Sequence, residues 1–273
     1  MNKILIFGNA DFNNKEIGGS GIYTAVGLAR LNSPVAFLTK INPENEKNLL
    51  DFLEINGVDT DYVICDDNDI LSADDINGLD LSGICSVYFS GRTVASCDEK
   101  VLESLGSRCR EQEIDIVFDP DSGGIDCEKY DILNRFAAFS DVFVPSIEDA
   151  EKLCGLNDPE KIAEHYLNLG TRKVVVTLDK NGAFYKSGKE SGTAPTFRAD
   201  KVIDTAGAGD AFAAGLISGI SEDIPLGEAV VRANACGCMA IQVKGVLNSL
   251  PTMQQLREYM LSHRFVVEGC KEY

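Results

Sequence analysis

The 273-residue sequence contains no apolar run near the ~20 residues that a membrane helix requires. Its longest runs are short and are broken by Asp, Lys, Gly or Asn. The opening Met1-Asn2-Lys3 leads into only Ile4–Phe7 before Gly8, too short and too soon interrupted for a signal peptide, so it reads as a buried strand of a cytoplasmic protein. Basic residues are scarce: 25 Lys and Arg against 43 Asp and Glu give a net charge of −18. Such a field disfavours nucleic acid and anionic membranes as partners, and no basic stripe offsets it. The nine cysteines form no CxxC pair, and Cys236-Gly237-Cys238 has no His or second pair nearby to complete a zinc site. Buried, reduced thiols in a reducing compartment follow. Histidine occurs twice, at His165 and His263, in helical patterns away from any glycine turn, which points to surface or core roles. The acidic stretch Cys65–Asp69 lacks the Gly and distal Glu of a calcium loop and reads as solvated. Linkers, repeats and low-complexity tracts are absent too, so residues 1–273 are expected to form one domain.

What is present is an alternation. Ile4–Phe7, Val35–Leu38, Val87–Phe89, Ile116–Phe118, Val142–Val144 and Val174–Thr177 have the β-branched and aromatic character of buried strands. Amphipathic patterns separate them, such as Ile22, Ala25, Val26, Ala29 and Leu102, Leu105, Cys109. Continuous apolar strands alternating with helices imply an α/β fold, a doubly wound, mostly parallel sheet in three layers. Lys180-Asn181-Gly182 predicts a hairpin back through Ala183–Tyr185, and 188–199 an irregular edge with one short β-like stretch. A strand is expected to end at Ile203, with helices over Phe212–Ile220, Leu226–Val243 and Met253–His263 after it.

The chemistry concentrates in Asp204-Thr205-Ala206-Gly207-Ala208-Gly209-Asp210, followed by the small-residue run from Ala211. A glycine-rich turn opening a helix offers free N–H groups and a favourable dipole to an anion. Asp210 in the first helical turn has two readings: an acid that complements the dipole, or a general base beside an anion hole. A dinucleotide fingerprint belongs after the first strand of the sheet, whereas this turn lies in the last third.

Asp204–Ile217 resembles the C-terminal signature DTxGAGDxFxAG of the ribokinase-like (PfkB) family of sugar and nucleoside kinases. Gly18–Ala25 resembles the family's double-glycine substrate motif, and Val174–Ala183 its nucleotide-binding strand and turn. Phe118-Asp119-Pro120 and Gly245–Pro251 fall where relatives carry similar segments. The resemblance implies ATP-dependent phosphorylation of a hydroxyl on a sugar or sugar-like small molecule. By it, Asp210 is the base, and Gly207, Ala208 and Gly209 form the anion hole. Asp11, Gly18, Gly19 and Tyr23 face the substrate. Thr177, Asp179 and Gly182 line the nucleotide, with Asn234 near the adenine. Asp149, with Glu148 as substitute, organises Mg²⁺, and Asp204, Ala206, Gly245 and Ser249 match a monovalent-cation (K⁺) loop. Mg²⁺ and helix dipole then offset the acidic field at the phosphates.

The chain also departs from the pattern. Tyr23 stands where many members have Asn, and Ser146-Ile147-Glu148-Asp149 replaces Asn-x-x-Glu. Asp179 replaces a Gly in the nucleotide turn. Few residues precede Gly18 or follow Val63, so the β lid of relatives is expected to be reduced or absent, with no multi-stranded flap. The protein is then a monomer, or a dimer not formed through such a lid. A nucleoside kinase, with Tyr23 stacking on the base, and a non-catalytic nucleotide or sugar binder are the alternative readings.

Overall fold

Apolar strands need cover on both faces, and the topology supplies it. The computed structural model describes residues 3–13, 16–68 and 70–263; Met1, Asn2, Asp69 and Cys270 lie outside the described residues. From one edge, the main sheet runs β11 (Ser191–Ala194), β10 (Ala183–Ser187), β9 (Lys173–Thr177), β8 (Val142–Phe143) and β7 (Asp115–Asp119). It continues through β6 (Ile84–Ser90), β1 (Lys3–Phe7), β4 (Val35–Ile41) and β5 (Val63–Cys65). Strands from β9 to β5 pair in parallel, and only β10 and β11 turn back antiparallel.

Successive side chains of β1 go to opposite cores: Ile4 and Ile6 to one, Leu5 and Phe7 to the other. On the first face lie α1 (Ser20–Arg30), α2 (Pro43–Ile55), α9 (Ala208–Ser221), α10 (Leu226–Ala240), α11 (Val246–Ser249) and α12 (Met253–Ser262). The second carries α3 (Ala73–Asn77), α4 (Gly91–Ser96), α5 (Glu99–Glu111), α6 (Tyr130–Phe139), α7 (Ile147–Cys154) and α8 (Pro159–Leu169). The three-layer, doubly wound reading of the sequence therefore holds. The eight cysteines among the described residues are free. No helix of the described residues is long and apolar enough to cross a membrane.

The small residues of α9 have a packing reason. A Cβ at Gly27 of α1 would lie 2.8 Å from that of Ala214, and one at Gly215 would lie 2.9 Å from the Ala233 Cα. A Cβ at Gly219 would come within 2.8 Å of the Ala229 Cβ. Helix α9 is thus wedged between α1 and α10 at a separation only small residues permit. Glycine in a helix costs up to ~1 kcal/mol, which the close packing offsets.

Two expectations need correction. A two-stranded antiparallel hairpin, β2 (Asp11–Asn13) with β3 (Glu16–Gly18), does form before the double glycine. Ten residues suffice because β1 ends at Phe7 and β3 runs straight into Gly18. This hairpin is a separate two-stranded sheet, while Val63–Cys65 joins the main sheet as its edge. Val202-Ile203 is not a strand: both side chains are exposed, and the Ile203 N–H is bound to the Ile241 carbonyl at the end of α10 rather than to a sheet neighbour.

Candidate active site

Strand order reverses beside β1: the chain first moves outward through β4 and β5, then returns to β6 on the other side. In a parallel sheet, the carboxyl ends of strands at such a point leave a crevice. A recess of about 360 Å³ opens there, lined by Asn9 after β1, by Ser90 and Arg92 at the end of β6, and by Asp11, Gly19 and Ser20. Asp11 lies close to Gly19, where an added Cβ would sit 3.4 Å from its Oδ2 and 3.1 Å from the Asn9 carbonyl oxygen. Gly19 has φ +115°, so glycine there answers both to conformation and to this close approach. Tyr23 does not line the recess. Its hydroxyl lies over Gly18, where a Cβ would be 2.4 Å away, and the ring packs on the first core.

Ser20 joins the recess to the glycine turn, its hydroxyl donating to Asp210 Oδ1 at 2.6 Å across 190 residues of sequence. Desolvation pushes the Asp210 carboxyl up to about 6, opposed by the Ser20 hydroxyl and the charge of Arg92. A carboxylate in that range is well matched to general-base work near neutrality.

Gly207 is the N-cap of α9, with φ +81° and Val246 filling the space its side chain would need. Gly209 differs: its φ is not positive, and a Cβ there would meet nothing within 4 Å. The Ala208 N–H turns to the Thr205 carbonyl at 3.3 Å, whereas those of Gly207 and Gly209 meet no acceptor among the described residues. The anion position is therefore open at Gly207 and Gly209, less so at Ala208.

A second recess, about 390 Å³, is lined by Glu148, Thr177, Leu178, Asp179 and Asn181. Asp179 adopts φ +52°, which explains why a glycine suits that turn and why Asp, among the more tolerant residues, can replace it. Gly182, at φ +85°, abuts the Ala194 carbonyl and shapes the turn without lining this recess. Asn234 is buried, its amide donating to the Ala194 and Pro195 carbonyls at 2.9 and 3.2 Å. It ties α10 to the exit of β11.

Asp149 is committed too. Its Oδ2 accepts from the Ser146 N–H and hydroxyl at 3.0 and 2.7 Å, and its Oδ1 from the Ser122 N–H and hydroxyl at 3.0 and 2.5 Å. Glu148, by contrast, is exposed at the rim of the second recess. Nearby, burial pushes the Asp119 carboxyl well above the ordinary range, helped by the charges of Asp149, Asp121 and Asp210. That surplus of negative potential suits a cation arriving with phosphate. No group of three or more His, Cys, Asp or Glu converges as a metal cage among the described residues. Asp204 accepts from the Ala206 N–H at 3.1 Å and the Gly245 N–H at 3.0 Å, bonds that hold its carboxyl below the usual range. It brings the loops of the monovalent-cation expectation together. Ser249, buried, donates to the Val246 carbonyl.

Sequence reasoning missed Ser20, Arg92, Thr93, Ser96 and Lys129 as recess residues. Only Ser20 carried a signal, as the residue directly after the double glycine.

The structure thus sets a desolvated carboxylate one residue after an open main-chain N–H, in a fold with two recesses. The chain belongs to the pfkB family of carbohydrate kinases, whose model matches residues 77–253. It is 39% identical over 141 residues to 2-dehydro-3-deoxygluconokinase of Bacillus subtilis (strain 168), covering 52% of this chain and 44% of that one, less than half the relative's length. It is 28% identical to aminoimidazole riboside kinase of Salmonella typhimurium, covering 96% of each. A crystal structure of a candidate ribokinase II from Escherichia coli, with ATP and Mg²⁺, has the same fold, with TM-score 0.82 at 19% identity over 96% of this chain and 100% of that one.

Proposed function

We propose that this protein transfers the γ-phosphoryl group of ATP to a hydroxyl of a sugar or sugar-like molecule. The observation that carries this reading is Gly209. Neither its φ nor its neighbours call for glycine, yet its open N–H stands one residue before a carboxylate held near neutrality. A ligand approaching the main chain there supplies the reason.

The acceptor hydroxyl would come in beside Gly19 and take over the hydrogen bond that Ser20 now makes to Asp210 Oδ1. Asp210 then receives the hydroxyl proton as the oxygen attacks the γ-phosphorus in line, the bond from that phosphorus to the β,γ-bridging oxygen breaks, and ADP leaves. The N–H groups of Gly207 and Gly209 and the start of α9 stabilise charge on the equatorial oxygens. Glu148 at the rim of the second recess, with Asp119, would hold Mg²⁺, which would supply charge neutralisation at the phosphates. K⁺ would sit at the Asp204–Gly245 junction, beside the turn that opens α9. Tyr23, turned onto Gly18, does not line the acceptor recess, so the Tyr23 stacking expected for a nucleoside acceptor has no support in this arrangement.

The test is ATP consumption against a panel of sugars, sugar amines and nucleosides, with Mg²⁺ and K⁺ present and Asp210→Asn as control. Turnover with an acceptor that is lost in the control is expected. Nucleotide binding with no turnover across the panel would point instead to a non-catalytic binder.

A further inference from the structure

The Ser20–Asp210 pair has a support beneath it. Tyr88, two residues before the end of β6, packs into the first core, paired with Ile6 of β1 and Val117 of β7 and only 1% exposed. Its hydroxyl comes within hydrogen-bonding reach of the Ser20 and Thr24 side chains, and the carboxylates of Asp119 and Asp210 act on it by charge. Burial, with those charges, pushes the phenol well above its ordinary range, so it is a neutral donor around neutrality.

Ser20 and Thr24 stand one turn apart on the same side of α1. Two buried side-chain oxygens among the described residues lack a hydrogen-bond partner, Thr24 Oγ1 and Ser86 Oγ. Ser86 lies two residues, about 7 Å, further back along β6 than Tyr88. Thr24 differs: it faces Tyr88, and it leaves unused the carbonyl one turn back that a helical threonine ordinarily takes. A buried hydroxyl without a partner is costly in the state that strands it, so a second state that uses it accounts for its presence.

The direction of donation follows from the chemistry. A carboxylate only accepts, so the Ser20 hydrogen goes to Asp210 Oδ1, at 2.6 Å. The Ser20 oxygen is then free to accept from Tyr88. Once an acceptor hydroxyl occupies Asp210, the Ser20 hydrogen needs a new partner in a desolvated place, and the Tyr88 oxygen is within reach. Tyr88 accepts it by turning its own hydrogen to Thr24 Oγ1. We infer that Tyr88 is a positioning residue that reverses a chain of hydroxyls when substrate binds: Tyr88 to Ser20 to Asp210 in the free protein, and Ser20 to Tyr88 to Thr24 once the acceptor sits on Asp210. This rests on the kinase reading and adds to it a way of releasing Asp210 without stranding Ser20. Only hydroxyl hydrogens rotate, and no covalent bond changes. The other charged groups facing Asp210 are Asp121, beyond the end of β7, and Arg92 in the first turn of α4, both unaltered in the variants below.

The experiment uses the full-length protein as wild type, Tyr88→Phe, Ser20→Ala and the double variant. In its first arm, carbon-13 NMR follows the aspartate carboxyls of the free protein through pH, with Asp210→Asn assigning the Asp210 signal. Tyr88→Phe should move the Asp210 titration up by about 0.5 or more, because Ser20 loses the donor that polarises it. In the Ser20→Ala background, Tyr88→Phe should leave it within about 0.2. An unmoved titration in Tyr88→Phe, or an equal rise in both backgrounds, would overturn the proposal. In the second arm, the probe is the panel acceptor with the highest kcat/KM. Tyr88→Phe should raise its KM by about tenfold or more and leave KM for ATP within about threefold, since Ser20 is stranded only when the acceptor binds. Adding Ser20→Ala removes the stranded group, so the double variant should match Ser20→Ala within about threefold. Thr24→Val should raise KM as Tyr88→Phe does, and Thr24→Ser, which keeps the oxygen, should not. Additive losses from Tyr88→Phe and Ser20→Ala would overturn the proposal and leave the kinase reading standing. The expected titrations without turnover of any panel acceptor would instead overturn the kinase reading and leave the Tyr88–Ser20–Asp210 pairing in place.

Discussion

Helices α7 and α9 both carry an aspartate at the third position of the first turn, and the two could hardly be used more differently. At α7 the N-cap is Ser146 in an extended conformation, and Asp149 closes a capping box with it. Its other oxygen is taken by Ser122, so all its obvious acceptor directions are filled. At α9 the N-cap is Gly207 in the left-handed region, with no side chain to reciprocate. Asp210 keeps one hydrogen bond, from Ser20, and is otherwise desolvated. A carboxylate at a helix start becomes structural when a cap hydroxyl and neighbouring N–H groups satisfy it. It stays reactive when they are withheld.

Exchanging amides and carboxylates breaks this comparison most directly. Asp210→Asn should lower kcat by on the order of 10²–10⁴, the usual loss for a general base. It should also stabilise the protein. The folded carboxyl is raised from 3.8 to about 6, so the wild type loses stability as pH rises from about 4 through 6, and the variant does not. Urea unfolding at pH 7.5 should show Asp210→Asn more stable by about 1–3 kcal/mol, with the gap closing below about pH 4. Asp149→Ala should do the opposite, losing about 1–3 kcal/mol of stability as the Ser146 and Ser122 groups lose their acceptor. If Asp149→Ala instead keeps its stability and raises the Mg²⁺ requirement, its role is metal organisation.

Gly209→Ala sharpens the contrast within α9. With open space around the new methyl, stability should be unchanged or up by about 0.5–1 kcal/mol. Steady-state kinetics should nevertheless show kcat/KM reduced by about tenfold or more, because the methyl stands where phosphate must approach. Undiminished transfer would remove Gly209 from the anion position.

A smaller effect concerns Ser20. The kcat/KM profile should rise with pH through about 6 as Asp210 ionises. Ser20→Ala removes a hydrogen bond to the ionised form, so the acid limb should move to higher pH. A profile unchanged in position, with only the plateau lowered, would show that Ser20 merely packs. The smallest effect is expected at Asp179→Gly. Releasing a residue held at φ +52° and removing one negative charge should stabilise the turn by up to about 1 kcal/mol and lower KM for ATP by about two- to threefold.

Most of the architecture was legible in the sequence because its signals are local. The runs at Ile4–Phe7, Val35–Leu38 and Val174–Val176 are apolar at every position, as strands of a parallel sheet covered on both faces are. The turn at Lys180-Asn181-Gly182 announced the antiparallel edge. The three-residue strands of the β2–β3 hairpin were not legible, since so short a stretch carries no periodicity. Val202-Ile203 was misread because two β-branched residues look like a strand whether or not a neighbour pairs with them.

At the site the division is sharper. The glycine turn, the helix start and Asp210 are contiguous, so spacing alone placed them together. The bond from Ser20 to Asp210 spans 190 residues, and the Ser122 bonds to Asp149 span 27. Arg92 and Lys129 meet at one recess only because β6 ends beside β1 and Gly91 sits against Pro120. The sequence by itself determined which residue types were available at each helix start. Which aspartate was satisfied and which was left poised was decided by tertiary packing, because a carboxylate's chemistry depends on donors and solvent that distant segments bring to it.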